Sequence, residues 1–237
     1  MANQLKEFKK DVDTRIKKGE SKDEAILKQL QILIKESKKI RFEGNGYGDE
    51  WVKEAEKRGL ANLRDTPRAL TVWHDKKVVE LFDSVGVLTP RELEARQDIE
   101  FEAYVYKLQI EARVIGEMAI GSIIPAVVEY QNKLIKNIQG LFDVLGEKMG
   151  KEAADGQIDL LKRISIHLNK MKDACDEMLA ARKKANKIEN IEEKAVAYCD
   201  KVKVHFDEIR YHADKLEGLV EDKTWPLPKF SEMLFTR

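Results

Sequence analysis

The feature that most restricts the fold is a long stretch of helical periodicity that begins at residue 89. Thr89, Pro90 and Glu92 combine a hydroxyl cap, a proline at the first helical position and a capping-box glutamate. Apolar residues then recur every three or four positions, which predicts a long amphipathic helix. Its expected inward positions are Leu93, Ile99, Tyr104, Leu108, Glu111, Ile115 and Met118.

The same periodicity continues beyond Pro125, so a kink or short break is expected near residues 122–124. A connection to the next helix is expected at the glycines that follow, Gly146, Gly150 and Gly156. Asn190, with Glu193 three residues later, has the form of a cap for the last long helix. Long helices with short connections favour antiparallel packing, so we predict a mainly α protein with a helical bundle.

A smaller segment of helices and loops is expected before the bundle. We place the boundary near residue 84, giving segments 1–84 and 85–237. Ser21 with Glu24, and Thr66 before Pro67, are predicted helix starts. Short strands are possible only at residues 40–42 and 71–74, and the tail from residue 225 is expected to be extended.

Composition excludes several classes of protein. The formal net charge is zero and the 36% of charged residues are interleaved by sign, which gives no electrostatic reason to expect nucleic acid or an anionic membrane as partner. The N-terminus lacks the apolar run of a signal peptide, and Cys175 and Cys199 lie in helical patterns typical of reduced, buried thiols. We therefore expect a cytoplasmic protein.

A glycine-rich loop at residues 41–51 stands apart from the helical pattern. Its three alternate glycines suit positive φ and close backbone approach, and Asp49 is placed to cap the following helix. Gly59 is expected in the left-handed conformation just past the end of that helix. A phosphate-binding loop is the alternative, but the spacing matches neither the dinucleotide nor the P-loop pattern, so a structural loop is favoured.

No candidate for catalysis or metal binding is complete. The four histidines, His74, His167, His205 and His212, occur in no metal-binding motif, so structural or surface roles are expected. Glu111 and Glu117 lie in an apolar helix, where exposure at its edge or pairing with Arg113 is the commoner outcome. We therefore assign no catalytic, cofactor-binding or metal-binding residue from the pattern alone.

Several segments resemble a known family. Residues 44–51 (GNGYGDEW) and 54–60 (EAEKRGL) are similar to the late part of type III glutamine synthetases, the long bacterial form of the enzyme. The similarity continues at the following segments: 62–70 (NLRDTPRAL), 123–126 (IIPA), 130–131 (YQ), 225–228 (WPLP) and 232–235 (EMLF).

This resemblance implies the C-terminal part of an enzyme that joins ammonia to glutamate, using ATP and Mg or Mn. The metal ligands and phosphate-binding arginines of that family lie in upstream motifs that have no copy here. Residues 1–84 would resemble the closing helices of the catalytic domain, and 85–237 the helical C-terminal extension. The implied partners are the upstream catalytic domain and further copies in a homo-oligomer, and the chain alone is expected to be inactive.

A free-standing helical interaction or regulatory protein is the alternative function. The similarity at both the glycine-rich loop and the tail argues against it.

Overall fold

The computed structural model describes residues 2–234, and these contain helices and turns but no β-strand. The expectation of possible strands at residues 40–42 and 71–74 is wrong, because Ser37–Ile40 and Thr71–His74 each form a 3₁₀ turn. The chain forms two compact units, residues 1–64 and 65–237.

The first unit contains three helices, α1 (Ala2–Lys17), α2 (Lys22–Glu36) and α3 (Asp49–Lys57). The predicted cap of α2 is confirmed, since the Ser21 hydroxyl accepts a hydrogen bond of 3.3 Å from the Glu24 amide. The Gln29 side chain donates to Asp11 at 3.0 Å, which joins α2 to α1. Most apolar side chains of α2 nevertheless remain exposed.

The second unit begins with two short helices, α4 (Thr66–Leu70) and α5 (Lys76–Ser84). The predicted cap at Thr66 is wrong by one residue. Asp65 caps the helix, accepting a 3.0 Å hydrogen bond from the Arg68 amide, and Thr66 is already helical. A carboxylate one residue earlier reaches the free amides of the first turn just as a hydroxyl would.

The predicted long helix is α6 (Pro90–Met118), and its capping box between Thr89 and Glu92 is confirmed. The break expected before Pro125 is a π-helical turn at Ala119–Ile123, after which α7 (Ile124–Ala185) begins. Proline has no amide hydrogen to donate to the carbonyl four residues earlier, and one extra residue in the turn accommodates that loss.

Gly146 interrupts α7 and reverses the chain. Its φ of 73° and ψ of 175° lie outside the helical region, which confirms the expected connection at this glycine. Gly150 and Gly156 lie instead within the helix that follows. The chain before Gly146 (from Pro90) and the chain after it (to Ala185) are called here the first and second arms.

The two arms form an antiparallel helical hairpin. Gln131 donates to Ser165 at 2.9 Å, and Asn137 donates to Gln157 at 2.6 Å. Each pair joins residues nearly equidistant from Gly146 along the chain, as an antiparallel register requires. The predicted bundle is therefore confirmed.

A third helical segment packs on the hairpin. It consists of α8 (Ile191–Ala197), a π-helical turn (Tyr198–Val202), a 3₁₀ turn (Lys203–His205) and α9 (Phe206–Glu217). The Asn190 cap is confirmed by a 2.9 Å hydrogen bond from the Glu193 amide. The core between the three segments includes Phe101, Ile164, Met171, Met178, Tyr198 and Leu216.

The tail is less extended than expected, since it contains the short helix α10 (Phe230–Met233). Trp225 is buried and forms part of the core. Lys229 donates to the Val220 carbonyl at 2.8 Å and holds the tail against the end of the third segment. Phe235, in the tail motif, lies outside the described residues, as do positions 236 and 237.

Candidate functional site

Arg58 organises the glycine-rich loop. Its Nη1 donates to the Arg41 carbonyl at 2.6 Å and to the Lys38 carbonyl at 3.2 Å, while its Nε donates to Glu54 at 2.7 Å. The guanidinium also lies 5.5 Å from the centre of the Trp51 ring. A planar, forked donor can satisfy several acceptors at once, which makes this arginine the structural centre of the loop.

The loop glycines do not adopt the conformation expected of them. Gly44, Gly46 and Gly48 all lack positive φ, and Gly59 after α3 has it, at 70°, as predicted. A close approach exists only at Gly44, where an added Cβ would lie 2.7 Å from the Phe42 ring.

The helix that follows the loop has no side-chain cap. The prediction that Asp49 caps α3 is wrong, because the cap position is Gly48 and Asp49 is the first helical residue. There the carboxylate can still stabilise the positive end of the helix dipole.

An aromatic side chain projects from the tip of the loop. Phe42 and Trp51 stack at the base, with ring centres 4.6 Å apart, whereas Tyr47 is fully exposed. Exposed tyrosines on a fixed loop are typical of protein interfaces, because they supply large contact area at low entropic cost.

Two histidines that are distant in sequence meet in the bundle. The Nδ1 atoms of His167, on the second arm, and His212, on α9, are 2.9 Å apart. One ring must donate and the other accept, so the contact requires two neutral rings or one shared proton. Pattern reasoning missed this pair, because only the packing of α9 on the hairpin brings the two positions together.

Both histidines are held in the neutral form. Burial lowers the pKa of His167, and Lys215 and Lys170 lower it further. Burial likewise lowers the pKa of His212, followed by the effect of His167 itself. Among residues 2–234, no group of three or more His, Cys, Asp or Glu side chains is arranged to hold a metal ion.

Arg68 links the start of the second unit to the third helical segment. It donates to Asp65 at 2.7 Å and to Asp200 at 2.8 Å, and the contact with Arg68 lowers the pKa of Asp200. The link is structural, since both carboxylates are already paired with the arginine.

The acids and thiols singled out from the sequence have ordinary surroundings. Glu117 pairs with Arg113 at 2.9 Å and both are exposed, as expected, and Glu111 is exposed as well. Cys175 and Cys199 are free thiols. Burial raises the pKa of Cys175 to about 11, which leaves it unreactive near neutral pH.

Comparisons with known proteins identify the family. The family model for the glutamine synthetase C-terminal domain matches residues 25–141, which include the glycine-rich loop. The chain is 41% identical, over its whole length, to a glutamine synthetase of Bacteroides fragilis (strain YCH46), of which it spans 32%. The chain belongs to the glutamine synthetase C-terminal domain family.

Two further relatives agree with this assignment. A type-3 glutamine synthetase of Dictyostelium discoideum is 31% identical over 93% of the chain, and a glutamine synthetase of Butyrivibrio fibrisolvens is 30% identical over 92%. The chain spans 30% and 31% of these two proteins. It thus covers about a third of the length of the curated relatives it matches.

Within this glutamine synthetase region, the conserved-domain match and the histidine pair lie in different places. The match ends at residue 141, in the first arm, whereas His167 and His212 lie beyond it.

Of the helices in the described part of the chain, none is long and apolar enough to cross a membrane.

Proposed function

We propose that this chain forms the structural C-terminal part of a type III glutamine synthetase. The complete enzyme would join ammonia to glutamate and convert ATP to ADP and phosphate. ATP and Mg or Mn would bind to the remainder of the enzyme, in the cytoplasm. The chain itself would contribute folding and subunit assembly, and would be inactive when isolated.

One observation carries this proposal: the similarity runs through the whole chain, yet the chain spans about a third of each relative. The catalytic motifs that the resemblance assigns to the family lie upstream of the matching segments. A structural contribution is therefore favoured over a catalytic one.

The exposed surface of the first unit supports an assembly role. Leu27, Leu30, Leu33 and Ile34 of α2 are all exposed. An apolar helix face of this kind is typically covered in the complete protein. We propose that residues 1–84 close the catalytic domain, with this face and Tyr47 in contact with it, and that residues 85–237 form the extension.

The first test is the size of the native polypeptide, measured by blotting a lysate of the source cells with an antibody against residues 90–185. We expect a band about three times heavier than this 27.3 kDa chain. A band at 27.3 kDa would overturn the proposal and favour the free-standing helical protein.

A second test examines the α2 face in the complete enzyme. Leu30→Asp should lower specific activity and shift the enzyme to smaller species in size-exclusion chromatography, because a charge replaces a covered apolar side chain. Lys35→Asp, exposed on the other side of the same helix, is the matched control and should retain activity. Equal behaviour of the two variants would argue against a covered face.

A further inference from the structure

The first arm carries a second apolar face, on the side opposite to the core. Buried residues such as Phe101, Leu108 and Ala112 occupy one side of the helix. Away from that side, the helix bears large apolar side chains that remain exposed. Their exposed fractions are Ile99 60%, Tyr106 59%, Ile110 63%, Val128 42% and Ile135 40%.

These residues form one continuous line, called here the seam. Ile99 and Tyr106 are seven residues apart, as are Val128 and Ile135, which is the spacing of a coiled-coil contact. Tyr106 and Val128 are 22 residues apart, one more than three heptads. The π-helical turn at Ala119–Ile123 absorbs the additional residue and keeps both halves on one side of the helix.

The seam is nearly symmetric about Glu117. Ile99 and Ile135 lie equally far from it, and so do Tyr106 and Val128. An antiparallel copy of the same helix, centred at Glu117, would therefore meet this one apolar against apolar. A large tyrosine would face a smaller valine at two equivalent places, as a two-fold symmetric interface requires.

Charge and shape at the centre of the seam fit the same arrangement. Arg113 would lie opposite Gly121 of the second copy and within one turn of that copy's Glu117, giving two cations and two anions around the axis. A groove of about 590 Å³, lined by residues that include Gly116, Gly121 and Leu179, opens beside this point. An added Cβ at Gly121 would meet nothing within 4 Å, so a side chain of the second copy has space there.

We propose that two copies of this chain pair through the seam, antiparallel and two-fold symmetric about Glu117. The apolar residues supply the contact. In the antiparallel pair the two Glu117 side chains meet at the axis with an Arg113 of each copy within one turn, whereas a parallel pair would also place Arg113 beside Arg113, so the cluster favours this direction and register. This pairing names a surface and an orientation for the self-association expected of the extension.

Cysteine cross-linking of the 237-residue chain tests the orientation. A residue at the two-fold axis lies next to its own copy, so Glu117→Cys should form a disulfide-linked dimer under mild oxidation by copper phenanthroline. Lys107→Cys, exposed on the same helix but off the seam, should not. Ile99→Cys should cross-link only when combined with Ile135→Cys.

Sedimentation equilibrium tests the contact without any covalent bond. Ile110→Glu should raise the dimer dissociation constant at least about tenfold, because each dimer receives the charge twice. Arg113→Glu should weaken the dimer through repulsion from Glu117, and Arg113→Glu with Glu117→Arg should restore it. Since all of these side chains are exposed, the variants should keep the wild-type far-UV circular dichroism.

A chain that remains monomeric at all concentrations would overturn the proposal. So would cross-linking by Ile99→Cys alone, which would indicate a parallel pair, or a dimer indifferent to Ile110→Glu. These outcomes do not depend on the size of the native polypeptide, so this proposal and the synthetase assignment can fail separately.

Discussion

The helical hairpin depends on the backbone at Gly146, and the change Gly146→Ala tests this directly. With φ at 73° and ψ at 175°, this residue occupies a region that is essentially restricted to glycine. An alanine at this position would either be strained or force the two arms apart. Nothing lies within 4 Å of the added Cβ, so backbone conformation alone determines the effect.

The expected cost follows from two opposing contributions. Placing a Cβ in this region costs about 1–3 kcal/mol, and the reduced freedom of the unfolded chain returns about 0.4–1 kcal/mol. The net loss of unfolding free energy is then about 0–2.6 kcal/mol, with a central value of about 1.3 kcal/mol. For a unit of this size, the central value lowers the melting temperature by about 3–5 °C.

Gly156→Ala is the matched control for this experiment. Gly156 lies in the helix of the second arm, is exposed, and also has open space around an added Cβ. Alanine there should stabilise the protein by about 0.5–1 kcal/mol, because the glycine is in a helix interior. Thermal unfolding followed at 222 nm should therefore move in opposite directions for the two variants. Equal shifts would refute a conformational requirement at Gly146.

Three further predictions concern the core, the histidine pair and the loop. Ile164→Ala, in the core, should lower the free energy of unfolding in urea by about 2–5 kcal/mol. The exposed Ile166→Ala should lower it by less than about 0.5 kcal/mol, and similar losses for the two variants would contradict the packing described. The pKa values of His167 and His212 are lowered from 6.5 in the folded state. Their contribution to the free energy of unfolding should therefore be complete above about pH 6.5 and should be lost as the pH drops towards the lowered values. Changing both histidines to glutamine should remove this pH dependence. Arg58→Lys should speed chymotrypsin cleavage within the glycine-rich loop, since an ammonium group cannot reproduce the forked contacts, and an unchanged rate would show that the arginine does not hold the loop.

Local signals in the sequence predicted the helix starts well. Thr89 with Glu92, Ser21 and Asn190 each supply a side-chain acceptor one position before a helix, and all three cap as predicted. Caps are local, since they involve residues no more than three apart. The errors at Thr66 and Asp49 are shifts of one residue, where neighbouring polar side chains compete for the same role.

The chain reversal could also be found in the sequence, but the contacts across the bundle could not. Gly146 is recognisable as a break between two periodic segments, and the hairpin register follows from its position. The His167–His212 contact also depends on how α9 is aligned along the second arm. That alignment depends on the π-helical turn at Tyr198–Val202, for which the sequence has no clear signal.

The inward face of the first arm shows why periodicity alone does not identify the core residues. Leu93 and Leu108 are buried as predicted, and Ile99, Glu111 and Met118 are exposed. Apolar residues occur on two sides of this helix, so both sides satisfy the helical pattern and neither can be assigned to the core in advance. The choice is made by the helices that pack on α6, above all α8, and these cover the side that contains Phe101 and Leu108. A helix with two apolar sides has surface for two partners, and the fold of this unit supplies only one of them. The second partner must come from outside the unit, which is the physical reason to look for it along the line from Ile99 to Ile135.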